Sequence, residues 1–318
     1  MAKTFASQGD LSEKKKSLIE LAKGVYGYTA EGDPNSGFII GENEVMVIEA
    51  QATPQMANEL IEQIRTLTDK PIKYLVLTHY HAVRVLGASA YQAQEIIAST
   101  KTYEMIVERG QQDWNSEFQR FPRLFRGADT IPGLTWPTLV FDSKMTVFLG
   151  KRKVEIIHPG EGHTRGDTIV WLPEEKVLFA GDLVEYGATP YCGDAQLQNW
   201  PKTLQFLSNL NPHALVPGRG EALTTPLKCQ EAIFHTNAYV QMLYQQALLS
   251  RLEGETLKQC YDRMMETMEP QFGHWVIFKH CMPFNVSRAY DEAGGINHPR
   301  IWTAQRDIDM WEALEKDE

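Results

Sequence analysis

The sequence predicts an α/β protein, an αββα four-layer sandwich that continues into a helical C-terminal extension. Three observations support this fold. Short β-rich runs separated by Gly, Asn and Pro recur in two halves of the chain, helical patterns follow each half, and polar residues stand where strands end. With 318 residues, of which 43% are hydrophobic, the chain is long enough for one large core and an appendage.

Residues 1–20 are predicted to form a polar lead-in, with a helical pattern around Leu11 to Leu21. The sandwich itself is predicted to cover residues 21–227. It opens with an antiparallel meander, because three short β-rich runs are separated by turn-forming residues. The elements predicted after the meander are, in order, a helix over 53–67, a strand over 74–77, a helix over 86–94 and a strand over 96–98.

Residues 102–137 mix aromatic side chains with turn formers, which is typical of an irregular or helical insertion near the mouth of a pocket. The alternative is a loop that only packs its own aromatic residues. From Thr138 the β pattern returns, and five runs predict a second sheet. These runs are 139–141, 145–149, 154–157, 168–172 and 176–180.

The segment 228–318 is predicted to be a helical extension that acts as a lid or as a dimerisation element. Its three helices are predicted from apolar residues at helical spacing over 228–252, 255–268 and 302–315. The assembly that we consider for the chain is a homodimer, because closed symmetric dimers are common among soluble enzymes.

Composition excludes several classes of partner. The chain has 31 basic and 41 acidic residues, and a formal charge of −10 has the wrong sign for a nucleic-acid-binding protein. No run of 18 apolar residues and no signal-like N-terminus are present, so we expect a cytoplasmic protein that does not enter membranes. The cysteines form no CxxC pair, which favours reduced thiols over disulfides or a zinc knuckle. They are Cys192, Cys229, Cys260 and Cys281.

A metal-binding pattern lies between Thr78 and Gly87. His79 and His81 stand at i and i+2, directly after the apolar run 74–77. This is where a buried strand ends and a loop begins, a usual position for a site on an α/β scaffold. The two imidazoles can therefore converge on one cation.

Four sequence elements across about 24–222 together resemble the metallo-β-lactamase superfamily in order and spacing. They are Asn35-Ser36-Gly37, Thr78-His79-Tyr80-His81 with Gly87, Gly162-His163-Thr164 through Asp167-Thr168, and Ala180-Gly181-Asp182. The resemblance implies an αββα fold and a first metal held by His79, His81 and His163. Asp182 corresponds to the carboxylate that bridges two metals in the family. These ligand types suit Zn²⁺ or Fe²⁺. The alternative is a vestigial cluster that hydrogen bonds hold together without a metal.

The ligands that the resemblance implies for a second metal are missing. Their positions hold Val83, Arg84 and Arg219. Valine cannot bind a metal, and the two guanidiniums stay protonated at physiological pH. We therefore expect one divalent metal per chain, with Zn²⁺ favoured and Fe²⁺ as the alternative. The arginines either bind an anionic group of the substrate or pair internally with Asp182 or Glu49.

Further candidates lie close to these motifs in the sequence. Glu49 is expected to orient a metal-binding histidine or to neutralise an arginine, although a plain strand-end carboxylate explains it equally well. Tyr186 and Tyr191 follow the strand that carries Asp182, and His274 and His280 lie in an aromatic C-terminal segment. These four are candidates for contacts with substrate, with packing as the alternative role.

The leading functional hypothesis is a mononuclear metal-dependent hydrolase that acts on a small organic substrate with an anionic group. The metal would activate a bound water and polarise the scissile bond, or alternatively Asp182 would hold the attacking water as a base. Arg84 and Arg219 would fix the anion and stabilise developing negative charge. A second hypothesis is an iron dioxygenase similar to persulfide dioxygenases, with His79, His163 and Asp182 as ligands. A third is a degenerate, non-catalytic member that binds anions.

Overall fold

The computed structural model of the protein describes residues 6–315 and contains two sheets that pack face to face between layers of helices. The first sheet has seven strands, antiparallel from β1 to β4 and parallel from β4 to β7. In spatial order they are β1 (Lys16–Ala22), β2 (Val25–Ala30), β3 (Asp33–Ile40), β4 (Val45–Ile48), β5 (Ile72–Val76), β6 (Glu95–Ser99) and β7 (Leu139–Phe141).

The second sheet has five strands, which are antiparallel except for the last pair. They are β8 (Lys144–Leu149), β9 (Arg152–Ile157), β10 (Ile169–Leu172), β11 (Val177–Gly181) and β12 (Ala214–Pro217). The helices are α1 (Pro54–Leu67), α2 (Ala82–Val85), α3 (Thr100–Arg120), α4 (Trp200–Asn209), α5 (Pro226–Leu252), α6 (Leu257–Phe272), α7 (Phe278–Ala293) and α8 (Ala304–Glu315). Short 3₁₀ turns cover Ala88–Tyr91, Pro122–Phe125 and Ala128–Thr130.

Three apolar clusters separate the four layers. Strand β4 shows how they arise, since its side chains alternate between the two faces of the sheet. Val45 and Val47 belong to the cluster that includes α1, whereas Met46 and Ile48 belong to the cluster between the sheets. A third cluster joins the second sheet to α4–α7. The predicted αββα sandwich is therefore confirmed, and no helix of the described chain is both long and apolar enough to cross a bilayer.

The structure corrects the predicted N-terminal segment and the second sheet. Residues 16–22 form edge strand β1 and not part of a helix, because hydrogen bonding to β2 decides the conformation of this short, half-buried run. The predicted boundary at residue 20 therefore falls inside a strand.

The composition of the second sheet also differs from the prediction. Strand β7, which was predicted to belong to the second sheet, pairs with β6 in the first sheet, and β12 is the fifth strand of the second sheet. The predicted helix 86–94 is wrong: this range holds only the 3₁₀ turn Ala88–Tyr91, and the short helix α2 ends before it.

The insertion 102–137 begins as a regular helix up to Arg120, in agreement with the helical alternative, and continues with two short 3₁₀ turns. Helix α3 begins after Ser99, whose hydroxyl accepts a hydrogen bond from the amide of Thr102. Its buried face includes Arg109, Asp113 and Arg120. Because charged residues occupy positions that are normally apolar, the helical periodicity was hidden in the sequence.

The C-terminal helices are more closely integrated than an appendage. The predicted boundary at residue 227 falls in the first turn of α5, which starts at Pro226 behind the Thr225 cap. Helices α5–α7 share one apolar cluster with α4 and the second sheet. Helices α4 and α7 had no counterpart among the predicted elements. The segment therefore completes the outer layer, and α7 also reaches the candidate site.

Candidate metal centre and adjacent cavity

The candidate site lies at the ends of strands from both sheets. His79 and His81 follow β5, in a loop whose Thr78 amide donates to Glu49 Oε1 over 2.7 Å. His163 lies in the loop between β9 and β10. Asp182 directly follows β11, at a turn where Gly181 adopts a φ of +54°. Four chain segments thus meet at one point.

The three histidines are almost completely buried, and their ligand atoms all lie within 4.8 Å of one another. One nitrogen of each ring has a partner outside the group. His79 Nδ1 lies 2.9 Å from Thr78 Oγ1, and His163 Nδ1 lies 2.8 Å from the carbonyl oxygen of Tyr191. His81 Nε2 lies 3.3 Å from Asp194 Oδ2. These outer acceptors take the N–H groups, so the remaining nitrogens turn their lone pairs toward one another.

Converging lone pairs require a proton or a cation between them. His163 Nε2 lies 3.0 Å from His81 Nδ1, whereas His79 Nε2 is buried with no hydrogen-bond partner. Burial disfavours charge on His81, but Asp113 and Asp194 outweigh burial and raise the pKa of His81 to about 9. Burial lowers the pKa of His163 to about 3. A proton on His81 can therefore fill one gap, but it leaves His79 Nε2 unsatisfied, and a divalent cation satisfies all three nitrogens.

Asp182 faces two of the three histidines. Its Oδ2 lies 3.8 Å from His79 Nε2 and 3.7 Å from His163 Nε2. Arg84 Nη2 donates to Oδ1, and Arg219 Nη1 donates to Oδ2 over 3.1 Å. Burial opposes the charge on Asp182, but Arg84, His79 and Arg219 outweigh it and lower the pKa of Asp182 well below its usual range. Such a carboxylate accepts a proton poorly, which argues against the predicted role of Asp182 as a base.

Arg84 is an internal counter-charge and does not contact the cavity. It is 1% exposed, and it donates to the carbonyl oxygens of Asn35 and Gly218, each over 2.8 Å. Its Nε also lies 3.6 Å from Glu49 Oε2. The contacts of Arg84 therefore agree with the alternative of internal pairing, here with both Asp182 and Glu49, and a contact between Arg84 and substrate stays a prediction.

Arg219 is paired internally and also lies in the cavity wall. Besides Asp182, it pairs with Glu185 Oε1 over 3.2 Å, and the Arg219 amide also donates to the Glu185 carboxylate. Burial raises the pKa of Glu185, which Asp182 raises further, to about 8. Unlike Arg84, Arg219 forms part of a cavity wall. Contact between Arg219 and substrate therefore stays a prediction.

A small cavity lies beside the histidines. Its wall contains Tyr191 and His280, as predicted for residues that contact substrate, but not Tyr186 or His274. The Tyr186 amide donates to the carbonyl oxygen of Arg219, and the His274 ring contacts Trp275. Contacts of these two residues with substrate stay predictions. The complete lining is His81, Val83, Glu117, Arg120, Phe121, Leu124, His163, Asp182, Tyr191, Arg219, Ile277, His280 and Cys281.

The sequence assigned no role behind the histidines to two carboxylates, Asp194 and Asp113. Asp194 accepts hydrogen bonds from the hydroxyl of Tyr80 over 2.9 Å and from Arg109 Nη1 over 2.8 Å, in addition to its contact with His81. Asp113 accepts a hydrogen bond from the amide of Ala82 over 2.7 Å. The available signal was the group of charged residues at helical spacing in α3, which indicates a helix with a polar buried face.

Comparison with known proteins identifies the family. The family model for the metallo-beta-lactamase superfamily matches residues 29–219. Metallo-beta-lactamase type 2 of Pseudomonas aeruginosa is 26% identical over 199 residues, which cover 60% of this chain and 71% of that protein. The protein of the same name from Bacillus cereus is 25% identical over 219 residues, which cover 64% and 77% of the two chains.

Solved structures agree with this result at the level of the fold. The metallo-beta-lactamase from Pontibacter korlensis has a TM-score of 0.57 and 22% identity, and the match covers 71% of this chain and 99% of that one. The DIM-1 metallo-beta-lactamase has a TM-score of 0.55 and 20% identity, with 73% and 99% of the two chains covered. Since the family match spans more than half of the chain and includes His79, His81, His163 and Asp182, this protein belongs to the metallo-β-lactamase superfamily.

Proposed function

We propose that the protein is a mononuclear metal-dependent hydrolase with Zn²⁺ as its metal and a small organic anion as its substrate. The observation that carries this proposal is the convergence of three buried imidazole nitrogens, one of which, His79 Nε2, has no partner. Zn²⁺ bound there would act as a Lewis acid and lower the pKa of a coordinated water to about 7.

The restriction to one metal follows from what occupies the second position. Arg84 and Arg219 place two positive charges beside Asp182, and Val83 adds an apolar wall. A second divalent cation at this position would meet two guanidiniums at short range and would lack ligands. In our proposal Asp182 completes the first metal's ligand set through Oδ2, and its two arginines fix its orientation.

The protein residues around the metal position have distinct tasks in this proposal. Asp194, Thr78 and the Tyr191 carbonyl group hold the outer nitrogens of the three rings, which sets their tautomers and orientation. Arg219 on the cavity wall stabilises negative charge that develops on the substrate. The walls contributed by α3 and α7 exclude water, which strengthens these electrostatic interactions.

Metal content of purified variants tests this proposal. We expect one zinc per wild-type chain and none in His163→Ala, whereas His158→Ala, which removes a histidine outside the group, keeps its zinc. Zinc-dependent hydrolysis should favour 4-nitrophenyl hemisuccinate over the uncharged 4-nitrophenyl acetate. Full metal content in His163→Ala, or two zinc ions in the wild type, would contradict the proposed site.

A second candidate is a mononuclear iron dioxygenase. Asp182 Oδ2 lies at nearly equal distances from His79 Nε2 and His163 Nε2, and two histidines with one carboxylate suit Fe²⁺. The hydrolase is favoured because His81 offers a third nitrogen to the same point. Elemental analysis of protein purified without chelators, together with oxygen uptake, separates the two. Bound iron and substrate-dependent oxygen consumption would support the dioxygenase.

A further inference from the structure

The guanidinium of Arg120 is buried in the cavity wall without a carboxylate partner. Arg120 is 2% exposed, its Nη1 donates only to the hydroxyl of Tyr191 over 3.3 Å, and its Nε has no partner. It forms no ion pair within the described part of the chain, although five other buried arginines do. These are Arg84, Arg109, Arg123, Arg219 and Arg288.

A buried arginine without an anion is costly, so this exception points to an anion that the chain itself does not supply. Burial opposes the charge on Arg120, but Tyr191, Asp307 and Glu117 outweigh burial and raise the pKa of Arg120. The guanidinium is therefore fully charged. The carboxylates of Asp307 and Glu117 influence it without forming an ion pair.

His280 offers a second unsatisfied group in the same cavity. It is 9% exposed, and its Nδ1 has no hydrogen-bond partner. Its ring lies near Phe284, whose centroid is also 4.4 Å from the guanidinium carbon of Arg120. Burial, reinforced by Arg120 and Arg219, lowers the pKa of His280 to about 3. The ring is thus neutral and carries one N–H that can donate.

The ring of Tyr191 connects this region to the histidines. Its centroid lies 5.5 Å from the Arg120 guanidinium carbon and 5.6 Å from the ring centre of His81. A short molecule can therefore reach from Arg120 to the metal position along Tyr191. Phe121, Leu124 and other apolar residues line the cavity beside this path, so the body of such a molecule is apolar.

The charges around the cavity limit the anion further. The planar fork of a guanidinium matches the two oxygens of a carboxylate. Glu117 and Asp182 also line the cavity, and their negative charges oppose a dianion more strongly than a monoanion. The wall therefore suits a single carboxylate on an apolar chain.

We propose that Arg120, assisted by His280, binds the carboxylate of the substrate, and that the substrate is a short, apolar monocarboxylate whose reacting bond lies at the three histidines. This inference rests on the proposed hydrolase function and specifies its substrate class. It assigns the anion contact, predicted for Arg84, to a residue at the C-terminal end of α3.

The test compares two probes of equal length on the zinc-loaded full-length protein. Calorimetric titration measures the affinity for hexanoate and the affinity for hexanol. The ratio of the first to the second reports the contribution of the carboxylate contact. We expect Arg120→Gln to lower this ratio at least ten-fold, and Arg120→Lys to lower it less because the charge is kept. Arg123→Gln is the matched control. Arg123 is equally buried and close in sequence, but it pairs with Asp33 outside the cavity and should leave the ratio unchanged.

Several outcomes would overturn the inference. One is that the wild-type protein does not prefer hexanoate over hexanol. Another is that the affinity ratio of Arg120→Gln lies within two-fold of the wild-type ratio, which would mean that Asp307 and Glu117 suffice as counter-charges for Arg120. If Arg120→Gln does not fold, His280→Leu provides the test. We expect this variant to lower the affinity ratio at least three-fold, and an unchanged ratio would refute the inference. A ratio that depends on Arg120 in protein that binds no metal would instead refute the proposed function and leave only the carboxylate contact of Arg120 standing.

Discussion

Replacement of Asp194 by Asn should weaken zinc binding, although Asp194 is not predicted to touch the metal. Its Oδ2 holds His81 Nε2 at 3.3 Å and accepts from the Tyr80 hydroxyl at 2.9 Å, while Oδ1 accepts from Arg109 at 2.8 Å. An asparagine side chain keeps one oxygen that accepts hydrogen bonds, but its NH₂ group can only donate. That NH₂ group would face either Arg109 or the pair His81 and Tyr80, all of which donate to Asp194 in the wild type. His81 then loses its charged acceptor or Arg109 loses its ion pair.

The expected magnitude follows from these contacts. Loss of a carboxylate behind a metal-binding histidine typically lowers metal affinity about 10- to 100-fold, which corresponds to about 1.4–2.7 kcal/mol. Removal of one partner of a buried ion pair costs about 3–5 kcal/mol in stability. Because Arg109 keeps an ion pair with Glu108, we expect the lower end, about 3 kcal/mol.

Zinc affinity is measured by competition with a chromogenic chelator, and stability by urea unfolding of the metal-free protein. Tyr80→Phe is the matched control, because it removes one hydrogen bond to Asp194 but leaves the contact between Asp194 and His81. We expect it to lower stability by about 1 kcal/mol and to leave zinc affinity unchanged. If Asp194→Asn binds zinc within three-fold of the wild type, the orienting role of Asp194 is refuted.

Two further predictions concern the residues behind Asp182. Burial is the main cause that raises the pKa of Glu49, to about 7 from an ordinary value of 4.5, so the folded state binds this proton more tightly than the unfolded state. As pH rises from about 4.5 to 7, the free energy of unfolding of the metal-free wild type should therefore fall by up to about 3 kcal/mol relative to that of Glu49→Gln. The measurement is urea unfolding of both proteins across this pH range, and a free-energy difference that does not change with pH would contradict the prediction. Gly218→Ala should lower stability by about 1–3 kcal/mol, because a Cβ there would lie 2.9 Å from Asp182 Cα; an unchanged melting temperature in thermal unfolding would refute the clash.

The sequence was sufficient to predict the sandwich and the group of three buried histidines, because local motifs at fixed spacing determine them. It was not sufficient for the partners of Arg84. Whether a guanidinium faces a cavity or a carboxylate depends on side-chain packing between residues far apart in the chain, such as Arg84 and Asp182. Arg120 was not predicted because it lies in a helix whose buried face is charged, and its unpaired state is visible only after every neighbouring carboxylate has been placed.

The cavity wall is built from several distant parts of the chain. The three histidines and Asp182 lie between residues 79 and 182, whereas Ile277, His280 and Cys281 belong to the start of α7 and the turn before it. In our proposal, part of the substrate-binding wall therefore belongs to a helix that carries none of the four candidate metal ligands. Substitutions in α7 can change which molecules enter while the imidazole set stays the same, so this helix is the first place to expect divergence among close relatives of this protein.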